Sequence, residues 1–380
     1  MKEPCVLLHL PVMPSSEGVA SELAESFMIN KEYPFSGPKA ERLKGKRLVC
    51  SDSGGYQAYK CFEKGGIVLL SEHLKPGKRD KNLVLNPLDN CQEYARTHST
   101  MGFLIDFPTI EDDTKDDFLW KQKMSARARD MMIPLAEKIC PDTELAIALQ
   151  FRYGKIRDIK GYYKALKHPS VKIYGFPIRG GGPREIAYAL SFLRSQRVRK
   201  VHLLGSSKAH HVMVLAQAAG MGLFDRITFD SRTWMQYFGA NQYKFGKKNY
   251  LDYERLVPRP RRNGNLLKFR PSARLKPLLD ANGARFDEML SSYNPPKNAK
   301  VKDWIGLYNI RVIQAFADRM AGRARQDTLA DFVQGCWLPP KRKKEVLQAI
   351  RMLRISVEQG HAAAVRYYHR TKPPEASKAS

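Results

Sequence analysis

Three aspartates and one glutamine in this 380-residue chain each follow directly on a short apolar run. Asp52 closes RLVCS, Asp106 closes GFLI, Gln150 closes LAIAL and Asp230 closes RITF, while Gly175 follows VKIY and Gly205 follows KVHLL. Carboxylates gathered at one place do two kinds of work. One attacks an electrophilic carbon and becomes an ester; another moves protons, helped by mutual repulsion that lifts its pKa. An aspartate after a strand is often only the N-cap of the next helix, so no single position is decisive. Six such positions on one rim are much harder to explain as caps.

The most specific string is Ser51-Asp52-Ser53-Gly54-Gly55-Tyr56-Gln57. Paired glycines let the backbone turn tightly and approach a ligand closely. An aromatic just beyond them can stack on a base, worth roughly 1–3 kcal/mol in nucleic-acid sites.

These residues need a scaffold that brings strand ends together. Apolar, β-rich runs recur near 5–10, 26–30, 47–51, 102–106, 145–150, 171–175, 200–204 and 226–229, with amphipathic helical patterns at 121–139, 183–196 and 208–220. Such alternation implies parallel strands joined by right-handed crossovers. Eight strands in about 230 residues predict an α/β fold, a (β/α)8 barrel, whose reacting groups sit at the C-terminal strand ends. The predicted layout is a catalytic barrel over 1–240, with a hairpin insertion in 53–84, and a basic extension over 241–370. Helices near 301–325 and 341–359 should pack on the barrel, and the polar tail 371–380 should be disordered. Cys50, penultimate in its run, reads as core. Trp304 and Tyr308 read as packing residues. His210-His211 reads as a surface pair at a helix start, with phosphate binding there as the alternative.

The strings in chain order resemble those of the tRNA-guanine transglycosylase superfamily. Ser51 to Gln57 is similar to its signature, and Asn86-Pro87-Leu88-Asp89 leading to Gly102–Asp106 resembles the segment that ends in a base-recognising aspartate. Ala148-Leu149-Gln150 resembles the strand whose glutamine contacts the base, and His202-Leu203-Leu204-Gly205 the next-to-last strand. Phe229-Asp230-Ser231, followed by Trp234 and Tyr237, looks like the archaeal-type nucleophile segment, and Gly306-Leu307-Tyr308-Asn309 like a later helix. The resemblance implies that Asp230 attacks C1′ of a guanosine and that Asp52 is the general acid/base. It implies that Asp106 and Gln150 read the guanine edge with Ser53 and Gly205 beside it, and that Tyr56 and Leu204 sandwich the ring. The co-substrate would be a 7-deazaguanine base. A second Phe-Asp pair, Phe224-Asp225, competes for the nucleophile role. Asp230 is preferred because it follows the apolar run, whereas Asp225 precedes it.

The chain also departs from that family. Residues 232–300 contain no cysteine, so the family's structural zinc is not expected. The base-binding Gly-Gly-Leu turn is replaced by Phe176–Gly182, where backbone donors, Gly180 among them, would take its place. The anticodon-gripping loop and the archaeal RNA-binding domain are missing. These losses favour DNA over tRNA as the nucleic-acid partner, in the manner of relatives that place 7-deazaguanines in phage and bacterial DNA, with a helper ATPase subunit as a further partner. The formal charge of +27 fits a polyanion partner. Arg259, Arg261, Arg262, Lys268 and Arg270 are candidate strand contacts. Six scattered cysteines imply reduced thiols and a cytoplasmic setting, and no run approaches the roughly 18–20 apolar residues of a membrane span. Alternatives are tRNA as substrate, a non-catalytic partner subunit, and a barrel hydrolase that removes a base without exchange.

Overall fold

A computed structural model describes residues 4–13, 25–29, 41, 43–74, 77–79, 82–178, 181–231, 299–336 and 338–371. The apolar runs become strands β1 (Val6–Met13), β2 (Ser26–Ile29), β3 (Leu48–Ser51), β4 (Val68–Leu70), β5 (Gly77–Arg79), β6 (Asn82–Leu85), β7 (Met101–Phe103), β8 (Glu144–Ala148), β9 (Val171–Pro177), β10 (Lys200–Leu204) and β11 (Arg226–Ser231). Eight of them, all parallel, close into a barrel in the order β1-β11-β10-β9-β8-β7-β3-β2. The helices are α1 (Gly55–Glu63), α2 (Pro87–Arg96), α3 (Lys115–Ile139), α4 (Ile159–Leu166), α5 (Pro183–Ser195), α6 (Ala209–Gly220), α7 (Ala299–Arg325), α8 (Leu329–Gly335), α9 (Pro340–Glu358) and α10 (Gly360–Thr371). The chain is a (β/α)8 barrel.

Strand alternation divides the core in two. Leu10, Met28, Cys50, Met101, Phe103 and Ile173 belong to a cluster that fills the barrel, so Cys50 is core as expected. The intervening residues, such as Val49, Ile147 and Leu203, meet the helices in a larger outer cluster. This period of two follows from side chains pointing to alternate faces of a strand.

Three expectations change. Strand β9 runs on to Pro177, with Phe176 and Pro177 opposite Leu203 and Leu204, so Gly175 lies inside the strand and does not close it. Proline lacks the N–H that would extend the ladder further. Residues 53–84 hold helix α1 as well as the expected hairpin, β5 and β6, which joins β4 in a three-stranded sheet. Helix α6 is not amphipathic but buried along almost its whole length, because α7 and α9 pack against it. His210 and His211 are therefore interior residues and not a surface pair. Burial pushes the His210 imidazole down to about 3 and that of His211 well below its ordinary value, with Lys208 and Arg342 nearby adding to both shifts.

Beyond residue 298, α7 packs on α6 and β1, α9 on α5 and α6, and α10 on α5. One side chain on α7 completes the barrel wall. Among the described residues strand β1 pairs with β2 only at Val12 and Met13, and none of them gives its lower edge a strand partner on that side. There the Gln314 carboxamide accepts from the His9 N–H at 2.8 Å and donates to the Leu7 carbonyl at 2.9 Å. One amide thus reproduces the donor–acceptor pair of a missing strand residue. Gly180, the run Arg259 to Arg270, Trp234 and Tyr237, and the tail beyond 371 lie outside the described residues, as do the side chains of 304 and 306–309. Among the described residues no helix is long and apolar enough to cross a membrane.

Gln314→Leu keeps the side-chain volume but leaves both backbone groups of β1 without a partner. The variant should lose about 1–3 kcal/mol of stability, read as a lower urea midpoint. An unchanged midpoint would show that the amide does not close the wall.

Candidate active site

A cavity of about 550 Å³ opens at the C-terminal ends of the barrel strands. Asp52, Ser53, Tyr56, Asp106, Gln150, Leu204, Gly205 and Asp230 all line it, so every described member of the predicted base and catalytic set is brought together. Tyr56 and Tyr153, each 47% exposed, are among the lining residues that reach solvent. Val12, Met28, Phe103 and Ala148 make part of the wall apolar.

Asp52 follows β3, and its own N–H is held by the Ile29 carbonyl at 2.9 Å. Gly54 then takes φ 95°, a left-handed conformation that suits glycine, and starts α1 as its N-cap. The next glycine has a different reason. A Cβ on Gly55 would lie 2.5 Å from Asp106 Oδ1, so only a bare Cα lets the Asp106 carboxylate approach α1. The Ser53 hydroxyl donates to that same oxygen at 3.4 Å, and the Asn90 side chain fixes the Ser53 carbonyl at 3.0 Å. Gln150 Nε2 donates to Asp106 Oδ2 at 2.6 Å, leaving Gln150 Oε1 buried without a hydrogen-bond partner.

Burial, then the negative charges of Asp106 and Asp230, push the Asp52 carboxyl up to about 7, against a smaller downward pull from the Gly54 and Ser53 N–H groups. Such a group gives and takes a proton near neutral pH.

Asp230, 6% exposed, is gripped on one side. Its Oδ1 accepts from the Gly205 N–H at 2.8 Å and lies 2.8 Å from His202 Nε2. Gly205 has φ 71°, which aims that N–H at the carboxylate from the turn after β10. Asp225 sits at the opposite end of β11, where Arg199 binds both its oxygens at 2.6 Å. That ion pair keeps it away from the cavity.

The cavity's charge is its most informative property. Asp52, Asp106, Glu111 and Asp230 line it, and among the described lining residues there is no Lys, Arg or His. An acidic pocket in a chain of net charge +27 rejects phosphate and welcomes a neutral ligand rich in N–H donors. Among the described residues no group of three or more His, Cys, Asp or Glu could hold a metal ion. Sequence reading missed Phe103, Glu111 and Tyr153 on the wall and gave His202 no role of its own. His202 was accessible by pattern, since alternation puts it on the inward face with Leu204. The fold and site define a (β/α)8-barrel protein with an acidic cavity at the C-terminal ends of its strands. No protein-family model and no curated protein sequence matches the chain.

Two outcomes follow from this geometry. Gly55→Ala should displace the Asp106 carboxylate and weaken binding of a cavity ligand at least about tenfold while leaving the far-ultraviolet circular dichroism unchanged. For Asp52 the folded carboxyl holds its proton more tightly than the unfolded one. Its effect on stability is thus least harmful below about pH 4 and becomes fully destabilising as pH rises through about 7. Asp52→Asn should therefore raise the melting temperature more at pH 8 than at pH 5; an equal change at both would contradict the raised carboxyl.

Proposed function

We propose that the protein is a transglycosylase that exchanges guanine in DNA for a 7-deazaguanine base through a covalent aspartyl-glycosyl intermediate. The observation that carries this reading is an acidic cavity of about 550 Å³ where Gln150 Oε1 is an unsatisfied acceptor, set beside the Asp230 carboxylate, of which one oxygen is held and the other makes no hydrogen bond among the described residues. Guanine presents N1–H and a 2-amino group on one edge. The Asp106 carboxylate and Gln150 Oε1 are acceptors matched to such an edge, and Tyr56 and Leu204 supply faces for the ring.

In the first half-reaction Asp230 attacks C1′ of the target nucleoside and the C1′–N9 bond breaks. The electron pair leaves with guanine, which takes the Asp52 proton. In the second, the incoming base gives its N9 proton to the Asp52 carboxylate and attacks C1′, and the ester bond to Asp230 breaks. Both carboxyl groups return to their starting states. Asp52, with its carboxyl near 7, is suited to serve as acid and then as base.

A duplex substrate has to surrender its guanine to the pocket, an unstacking cost of a few kcal/mol. The net charge of +27 would offset part of it through phosphate contacts outside the cavity. DNA is favoured over tRNA because residues 232–300 hold none of the zinc-site cysteines of the resembled family.

The test incubates the protein with labelled guanine and either duplex DNA or tRNA. Label should enter DNA, and a denaturant-stable protein–DNA adduct should form. Asp230→Asn should abolish the adduct, whereas Asp225→Asn should leave it in place. Label in tRNA alone would reassign the substrate, and label in neither would overturn base exchange.

A further inference from the structure

The geometry points to His202 as the positioning residue that orients Asp230, and to Oδ2 of Asp230 as the oxygen that attacks; this rests on the base-exchange reading above. His202 stands on β10 and is fully buried inside the barrel. Its ring is clamped on three sides. Nδ1 lies 2.7 Å from the Thr228 hydroxyl, Nε2 lies 2.8 Å from Asp230 Oδ1, and the Phe103 ring meets it edge-on at 5.3 Å. Thr228 and Asp230 are two residues apart on β11, so one strand holds both ends of the imidazole.

Hydrogen-bond chemistry then selects the tautomer. A carboxylate oxygen accepts, so Nε2 carries the proton. The Thr228 hydroxyl has one proton and two acceptors in reach, the Val201 carbonyl at 3.4 Å and Nδ1 at 2.7 Å, and the shorter contact assigns it to Nδ1. With the Gly205 N–H on the same oxygen, Asp230 Oδ1 has two fixed donors, while Oδ2 makes no hydrogen bond among the described residues. Attack therefore forms the C1′–Oδ2 bond as C1′–N9 breaks, and Oδ1 becomes the ester carbonyl oxygen. On return, C1′–Oδ2 breaks and the electron pair restores the carboxylate. The two N–H donors stabilise that charge as it reappears, in the manner of donors aimed at developing negative charge.

The test combines kinetics with an activity-independent signature. His202→Leu should lower kcat for guanine exchange about 100-fold with KM for the base changed less than about threefold. His202→Gln keeps an Nε2–H donor and should recover at least about tenfold of that loss. If His202→Leu does not fold, Thr228→Val removes only the hydroxyl on Nδ1 and should cost about tenfold in kcat. In protein labelled with ¹⁵N-histidine, the resonance lost in His202→Gln should report a protonated Nε2 and a bare Nδ1, and its N–H should shift in Asp230→Asn. Exchange by the wild type with unaltered kcat in the variants, or the opposite tautomer, would overturn the inference. Absence of exchange in the wild type would refute the base-exchange reading instead, and the resonance would still decide whether His202 pairs with Asp230.

Discussion

Everything at the C-terminal face of the barrel follows from keeping several carboxylates in a half-apolar cavity with no cation among the described lining residues. Moving a carboxylate out of water costs several kcal/mol unless donors replace its hydration. Hydrogen-bond donors meet much of that need: Ser53 and Gln150 at Asp106, the Gly205 N–H and His202 at Asp230, and two backbone N–H groups at Asp52. A lysine or arginine would have stabilised these anions more strongly, but it would also have fixed Asp52 in its ionised form. Neutral donors leave Asp52 only partly compensated, so its carboxyl rises to about 7. The raised Asp52 carboxyl is thus a consequence of how the other two carboxylates are held.

That arrangement demands backbone accuracy, and the barrel supplies it. The donors and acceptors come from β3, β7, β8, β10 and β11 or the turns that leave them. Each strand is fixed on both sides by its neighbours, so a carboxylate on one can meet a donor on the next at 2.6–2.8 Å. Far from the cavity, Gln314 serves the same end by filling the gap in the β1 edge. Without it, the closure between β11 and β2 would depend on two residue pairs at the top of β1.

Much of this was legible in the sequence, for physical reasons. Eight apolar runs marked eight barrel strands because a parallel strand buried on both faces has few other ways to be written. Asp52, Asp106, Gln150 and Asp230 could be placed on one rim because a barrel aligns its strand ends. The misreadings share a different origin. Gly175 closes an apolar run yet sits mid-strand, since Phe176 and Pro177 continue the pairing in a way hydropathy does not reveal. His210-His211 seemed polar enough for the surface, but α9 arrives from more than a hundred residues downstream to cover them. Close approach of Gly55 to Asp106 is likewise a tertiary fact; the string displayed the glycine without showing what it touches.

Charge separation links this site to its proposed substrate. The chain is strongly cationic as a whole, so a nucleic-acid backbone is drawn to it over a distance set by the Debye length, about 8 Å at physiological salt. Inside the cavity the sign reverses, and a phosphate entering between Asp52, Asp106 and Asp230 would meet repulsion from each. On the proposed reading a polynucleotide would be attracted as a polymer and admitted only as a base. The opposed fields sort its parts before any hydrogen bond forms, leaving Asp106 and Gln150 to distinguish one base edge from another. In the proposed reaction the attacking atom is fixed as well: with Oδ1 held by Gly205 and His202, the remaining oxygen is the one that would face the sugar following the base to the cavity mouth.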